Sequence, residues 1–102
     1  MKPATRAPIY AALYADLAEL CREDGWALAV HGSLARDLDL LCVPWTEHAV
    51  DDEVLLDDLT SQFAFRRHGV VAYKPHGRVV YSLVFDGGFG HAYLDLSLVR
   101  HR

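Results

Sequence analysis

The sequence lacks the features that define membrane and secreted proteins. None of its apolar runs approaches the roughly 20 residues that a helix needs to cross a bilayer. The N-terminal residues include no apolar segment of the kind found in signal peptides. There are only two cysteines, Cys21 and Cys42, and their spacing is not that of a zinc site. Both lie in apolar runs, so we expect reduced core thiols in a cytoplasmic protein without a membrane contact.

Several common catalytic motifs are missing as well. No G-x-G-x-x-G follows a strand and opens a helix, and "HGSLA" is not a G-x-S-x-G nucleophile elbow. The six histidines include no pair at the i, i+4 spacing of a helical metal site. Of these histidines, His31 lies beside a Gly-Ser turn, where it could line a cleft. The chain has no internal repeat and no Gly/Ser-rich linker, so we expect one domain over residues 1–102.

Charge is distributed unevenly around a net value of −4. Residues 1–58 carry four Lys/Arg and twelve Asp/Glu, whereas residues 59–102 carry six Lys/Arg and two Asp/Glu. The overall acidity argues against broad nucleic-acid binding. The basic second half either serves one anionic ligand or complements the acidic surface of the first half. The same choice applies to Lys74, His76 and Arg78, which lie close together at a predicted hairpin tip.

Apolar spacing predicts two helices and five strands. Residues such as Leu13, Leu17 and Leu20 recur at three- and four-residue intervals, which is typical of an amphipathic helix. The predicted helices are Pro8–Asp24 and Ala49–Phe65, and the predicted strands are Trp26–His31, Leu38–Val43 and residues 69–75, 78–85 and 91–99. The order α-β-β-α-β-β-β indicates an α/β (α+β) fold with a mixed sheet and helices packed mainly on one face.

Two aspartates, Asp37 and Asp39, interrupt the apolar run of the second predicted strand. On a strand their side chains point the same way, with Cα atoms about 6.6 Å apart. Two carboxylates about 5 Å apart repel each other by roughly 3 kcal/mol at an effective dielectric constant of about 20. Three explanations remain open: Mg²⁺ neutralises the pair, Arg36 neutralises it, or Asp37 still belongs to the turn and caps backbone amides.

Asp95 repeats this pattern on a distant strand, within "AYLDLSLV". If the two strands are neighbours, all three carboxylates face one cleft and can hold two Mg²⁺ about 3.5–4 Å apart. The turn formed by Gly32 and Ser33 ends the first strand, where backbone N–H groups and a hydroxyl can approach a phosphate.

Together these motifs resemble the nucleotidyltransferase superfamily of DNA polymerase beta. The resemblance covers residues 26–45 and 92–98 and depends on "GS", the D-x-D pair and the later aspartate. It implies phosphate binding by Gly32 and Ser33, with Arg36 beside them. It also implies two Mg²⁺ held by Asp37, Asp39 and Asp95. The implied reaction is the attack of an acceptor hydroxyl on the α-phosphate of a nucleoside triphosphate, with release of pyrophosphate.

The sequence departs from the family at the turn. Family members usually place a longer segment with a short helix between "GS" and the first aspartate, and here only Leu34, Ala35 and Arg36 intervene. Two hypotheses follow. The first is a small Mg²⁺-dependent nucleotidyltransferase, and the second is a catalytically inactive binding or regulatory module with the same fold. Either could work with a protein partner or as a homo-oligomer.

Overall fold

The computed structural model describes residues 7–32, 37–75, 77–87 and 90–99. Within these residues the chain forms two α-helices and six β-strands. The helices are α1 (Ala7–Glu23) and α2 (Asp52–Gln62). The strands are β1 (Trp26–His31), β2 (Asp37–Pro44), β3 (Arg66–Arg67), β4 (Ala72–Lys74), β5 (Arg78–Gly87) and β6 (Gly90–Val99). The predicted order is confirmed, and the two-residue β3 is added to it.

Helix α1 ends where the sequence predicts, because the residues that follow cannot continue it. Gly25 has φ = +87°, a left-handed conformation that glycine adopts without steric cost. A Cβ at this position would lie 2.6 Å from Thr46 Oγ1, so the neighbouring loop also requires glycine. The chain then turns directly into β1, which places the first strand against the helix that precedes it.

Helix α2 is shorter than its apolar pattern predicts at both ends. Before it, the backbone N–H of Val50 donates to the carbonyl of Asp24, and the Val50 carbonyl accepts from Trp26 Nε1 at 2.8 Å. These bonds hold Val50 outside the helix. After it, Phe63 adopts an extended conformation and its ring packs 5.7 Å from that of Phe65. The predicted ends therefore included apolar residues that serve tertiary contacts instead of the helix.

The sheet is mixed, as predicted, with the strand order β1-β2-β6-β5-β3 and with β4 also paired to β5. Strands β2 and β6 are parallel, and the other pairs are antiparallel. The predicted hairpin is confirmed as β4 and β5. The central position of β2 and β6 is the feature that matters most for the site, because these strands carry the three aspartates.

The two helices cover one face of the sheet. Alternate residues of the central strands are buried in a common core with Tyr10, Leu17 and Leu20 of α1 and with Leu55 and Leu59 of α2. The buried residues of β2, β5 and β6 in this core are Leu38, Leu40, Cys42, Val79, Tyr81, Leu83, Ala92, Leu94, Leu96 and Leu98. The residues between them, among them Asp37, Asp39 and Asp95, point to the opposite side of the sheet. We call this side the open face, since neither described helix packs on it.

The cysteines follow the prediction. Cys21 of α1 and Cys42 of β2 are free and buried. A hydrogen bond with Cys21, together with burial, raises the pKa of the Cys42 thiol, so the two sulfur atoms are close neighbours. In the described part of the chain, no helix combines the length and the apolar character that crossing a membrane requires.

Candidate functional site

The structure places Asp39 and Asp95 side by side on the open face. Asp39 of β2 and Asp95 of β6 are register partners on parallel neighbouring strands. Adjacent strands are about 4.8 Å apart, and register partners project to the same side of a sheet. Both residues are partly buried, while Leu38, Leu40, Leu94 and Leu96 on either side of them point into the core. The sequence left open whether the strands of Asp39 and Asp95 are neighbours, and the strand pairing shows that they are.

One polar row crosses the sheet through this pair. His31 of β1 is the register partner of Asp39, and Ser82 of β5 is the register partner of Asp95. Ser82 Oγ donates a hydrogen bond of 2.9 Å to Asp95 Oδ1. This bond fixes the orientation of the Asp95 carboxylate and leaves its second oxygen available to another partner.

Gly32 follows His31 directly and lies at the β1 end of this polar row. Its φ of +84° lies in the left-handed region, and a Cβ built on it would lie 2.8 Å from Asp39 Oδ2. The Asp39 carboxylate thus packs directly on the Gly32 backbone, in space that any other residue would fill. The positive φ favours glycine at this position, and a larger residue would also push the Asp39 carboxylate away from its observed place.

The electrostatics of the site disfavour a charged Asp39. Burial raises the pKa of this carboxyl above its ordinary value, and the charges of Asp95 and Asp37 act in the same direction. Of the described residues, only His31 lowers this pKa. Negative charge therefore accumulates at Asp39 without full compensation by the described residues. A bound cation would offset both the desolvation of Asp39 and its repulsion by the neighbouring carboxylates, because the cation replaces lost solvation and neutralises negative charge.

Asp37 lies at the edge of this site. It is the exposed first residue of β2, which excludes the interpretation that it still belongs to the preceding turn. Its register partner on β6 is Tyr93, whose ring lies 5.3 Å from the ring of His68. Asp37 and Asp39 share the open face, so the D-x-D pair points to one side, as predicted from strand alternation.

The residues suit a cation with oxygen ligands, although the predicted three-carboxylate cage is not assembled. Among the described residues, no group of three or more His, Cys, Asp or Glu side chains is arranged to hold a metal ion. Two adjacent carboxylates are nevertheless the usual protein contribution to a Mg²⁺ site, where waters and substrate phosphates complete the shell. Asp39 and Asp95, with the repulsion between them, fit one such ion.

Other predicted residues fall elsewhere. Ser33, Arg36 and His76 lie outside the described residues. Lys74 and Arg78 are register partners in the β4–β5 hairpin. Arg67 is used structurally, since its guanidinium lies 2.6 Å from Glu53 of α2. In this ion pair, a cation from the basic second half of the chain (residues 59–102) contacts a carboxylate from the acidic first half (residues 1–58).

Sequence reasoning missed Ser82 and Tyr93. Both lie in strands that are rich in apolar residues, in "RVVYSLVF" and "HAYLDLSLV". A polar residue in such a strand was a signal for Ser82, as it was for Asp95. The pairing of β5 with β6, which brings Ser82 to Asp95, is not encoded in either segment alone.

Comparison with known proteins gives limited information. No protein-family model matches the chain, and no curated protein is significantly similar to it. Among solved structures, one similar chain is that of the Cid1 poly(U) polymerase with Mg and 3'-dATP bound. The similarity has a TM-score of 0.47 at 14% identity and covers 89% of this chain and 31% of that chain. The function proposed below therefore depends on the residues of the open face and not on this similarity.

Proposed function

We propose that the open face binds Mg²⁺ with a nucleoside triphosphate and transfers the nucleoside monophosphate to a hydroxyl acceptor. The observation that supports this proposal is the in-register pair of Asp39 and Asp95 on adjacent parallel strands. Such a pair costs free energy in an empty site, because it combines burial with like charge. It becomes favourable when a divalent cation is bound.

Each residue of the site has a distinct role in this proposal. Asp39 and Asp95 are the metal ligands, and Ser82 is a positioning residue that holds the Asp95 carboxylate. Asp37, on the same face, is the remaining ligand expected for a second ion. Gly32, whose missing side chain leaves room for the Asp39 carboxylate, is a proposed phosphate contact through its backbone N–H. Ser33 and Arg36, in the segment that follows Gly32, are the other proposed phosphate contacts.

The reaction forms one bond and breaks one bond at phosphorus. The acceptor oxygen attacks the α-phosphorus, the bond from that phosphorus to the bridging oxygen of the β-phosphate breaks, and pyrophosphate leaves. The proton of the acceptor hydroxyl is released to solvent. When bound, Mg²⁺ neutralises the negative charge that develops on the phosphate oxygens. The carboxylates of Asp39 and Asp95 must be ionised to serve as metal ligands. Because the pKa of Asp39 is raised, its protonation in acid competes with metal binding, and the reaction should be slower at acidic pH.

Thermal unfolding tests the binding half of the proposal. Mg²⁺ with a nucleoside triphosphate should raise the melting temperature of the wild-type protein, because ligands of the folded state stabilise it by mass action. The D37N/D39N double variant should show no such shift. Asp16→Asn, an exposed substitution on α1, is the matched control and should shift like wild type. Equal shifts in wild type and D37N/D39N would contradict the proposal.

Product analysis tests the catalytic half. With Mg²⁺ and each of the four common ribonucleoside triphosphates in turn, the wild-type protein should release pyrophosphate when a suitable acceptor is present. The D39N variant should lose this release, by a factor on the order of 100 or more, since a metal ligand is removed. Release at the wild-type rate by D39N would show that another site carries the activity.

A second candidate is a binding module that does not turn over the nucleotide. The observation that favours it is the lack, among the described residues, of a three-ligand metal group. It predicts a thermal shift with nucleotide but no pyrophosphate. It also predicts a protein partner on the β-rich second half, where Val70 and Tyr73 are strongly exposed. Asp37→Asn should leave that partner bound.

A further inference from the structure

A cavity lies away from the carboxylate pair, beside the outer strand β1. Its volume is about 320 Å³, which is in the lower part of the range for small-molecule sites, about 300–1,000 Å³. Helix α1, strand β1 and the segment after β2 form its walls. The principal lining residues are Tyr14, Arg22, Trp26, Leu28, Trp45 and Thr46.

Hydrogen bonds fix the Tyr14 ring of the cavity and the backbone that carries Trp45. The Tyr14 hydroxyl donates to the Leu28 carbonyl at 2.5 Å. The Trp45 backbone N–H donates to the Gly25 carbonyl at 2.8 Å, so the backbone that carries its indole is fixed to the end of α1. The Trp45 residue is nevertheless 77% exposed. The structure thus presents a large ring at the mouth of a preformed cavity, which is a good surface for a planar ligand.

Among the described side chains that line the cavity, Arg22 supplies the only charge. It lies in the last turn of α1 and forms no ion pair within 4 Å with any described residue. Guanidinium groups bind planar carboxylates through paired hydrogen bonds. The sequence around the cavity is acidic, with Glu19 and Glu23 on the same helix and Glu47 next to Thr46. One cation in acidic surroundings favours a ligand with a single negative charge over a polyphosphate.

We propose that this cavity binds a small aromatic carboxylate, with its ring against Trp45 and Tyr14 and its carboxylate on Arg22. The site is independent of the nucleotide chemistry proposed for the open face. It differs from that face in both shape and charge, since it is a concave aromatic cavity with one cation and the open face carries three aspartates.

The probe for the test is 1-naphthoate, titrated into the isotopically labelled full chain. Trp26 and Trp45 are the chain's two tryptophans, and both line the cavity. Their two indole N–H signals in a proton–nitrogen correlation spectrum therefore report directly on the site. We expect both signals to shift saturably, and the Trp45 signal is identified by its loss in the W45A variant. The absence of saturable shifts at millimolar probe would overturn the proposal.

Two variants with matched controls assign the contacts. Arg22→Gln should weaken naphthoate binding at least about fivefold, because it removes the charge-assisted hydrogen bonds. Lys74→Gln, which removes an exposed cation elsewhere, should leave binding unchanged. Trp45→Ala, followed through the Trp26 signal, should also weaken binding about fivefold. Tyr73→Ala is its control, since Tyr73 is similarly exposed at 74% but lies on β4.

Two further probes test the charge. The neutral 1-naphthalenemethanol should bind at least about fivefold more weakly than 1-naphthoate, because it lacks the carboxylate. The dianionic 1-naphthyl phosphate should bind no more tightly than 1-naphthoate. Tighter binding of the phosphate ester, or equal binding of the alcohol, would contradict the proposed monoanion site. Equal affinities of the R22Q and K74Q variants for 1-naphthoate would also contradict the proposed site.

Discussion

At the scale of single residues, Gly32 and Gly69 separate two effects of a glycine. Both have positive φ, but a Cβ at Gly32 would meet Asp39 Oδ2 at 2.8 Å, whereas one at Gly69 would meet nothing within 4 Å. We expect Gly32→Ala and Gly69→Ala each to lose about 1–3 kcal/mol of unfolding free energy through backbone strain. Only Gly32→Ala should also weaken Mg²⁺ binding, because it displaces Asp39.

Denaturant unfolding and Mg²⁺ titration of the two alanine variants check this expectation. Gly69→Ala serves as the control, since it has the same strain without the contact. If both variants bound Mg²⁺ like wild type, the close approach of Gly32 to Asp39 would have no role in the site.

The Asp39 carboxyl provides a test through pH. Its pKa is raised in the folded protein, by burial first and then by Asp95, so the folded state disfavours the ionised form. In the absence of Mg²⁺, stability should therefore rise as the pH falls through this raised pKa. It should stop rising near pH ~4, where the unfolded carboxyl is also protonated.

The D39N variant is the corresponding mutation. Without Mg²⁺ it should melt at a higher temperature than wild type at neutral pH, and the difference should disappear in acid. Melting curves across pH measure this directly. A lower melting temperature for D39N at neutral pH would mean that the ionised carboxylate stabilises the apo protein.

At the scale of the elements, the sequence predicted to which side of the sheet a residue points better than it predicted which strands pair. Alternation placed Asp37 and Asp39 on the side opposite Leu38 and Leu40, and the structure has them there. Periodicity also located α1. It could not give the register of β2 against β6, because long-range pairing depends on how several strands pack together. The extent of α2 was wrong because the Val50 backbone is held by β1 and the chain before it.

The contact between the end of α1 and helix α2 contains another perturbed carboxyl. Burial, and then the neighbouring Asp58 carboxyl, raises the pKa of Asp24 to about 6. One Asp24 oxygen is buried without a hydrogen-bond partner among the described residues. An ionised Asp24 therefore costs stability at neutral pH, and the cost is relieved as the pH falls from above 6 towards ~4.

Asp24→Asn should raise the free energy of unfolding at pH ~8 by about 1 kcal/mol. The effect is small because the Asp24 carboxyl is partly exposed and solvent screens its charge. The gain should shrink as the pH falls and vanish below pH ~4, where the wild-type carboxyl becomes protonated in both states. Chemical denaturation at the two pH values measures the difference. Asp16→Asn, exposed on α1, is the control and should change stability little at either pH. A pH-independent gain in D24N would rule out titration of Asp24 as its cause.

At the scale of the whole molecule, the fold assigns different chemistry to different surfaces. The helices cover one face of the sheet, the open face carries the carboxylate pair, and the outer strand borders the aromatic cavity. The order of elements predicted the first feature, and alternation predicted the shared side of Asp37 and Asp39 but not the pairing of Asp39 with Asp95. The sequence did not predict the cavity. The cavity walls come from three separate segments, so no local pattern in the sequence describes them.

The central claim is that Asp39 and Asp95 bind one divalent cation together. Calorimetric titration of Mg²⁺ into wild type, D39N, D95N and S82A tests it most directly. We expect measurable binding in wild type and none in D39N or D95N. Binding to S82A should be about tenfold weaker, because the Asp95 carboxylate loses its orienting hydrogen bond. Equal Mg²⁺ affinity in wild type, D39N and D95N would contradict the claim.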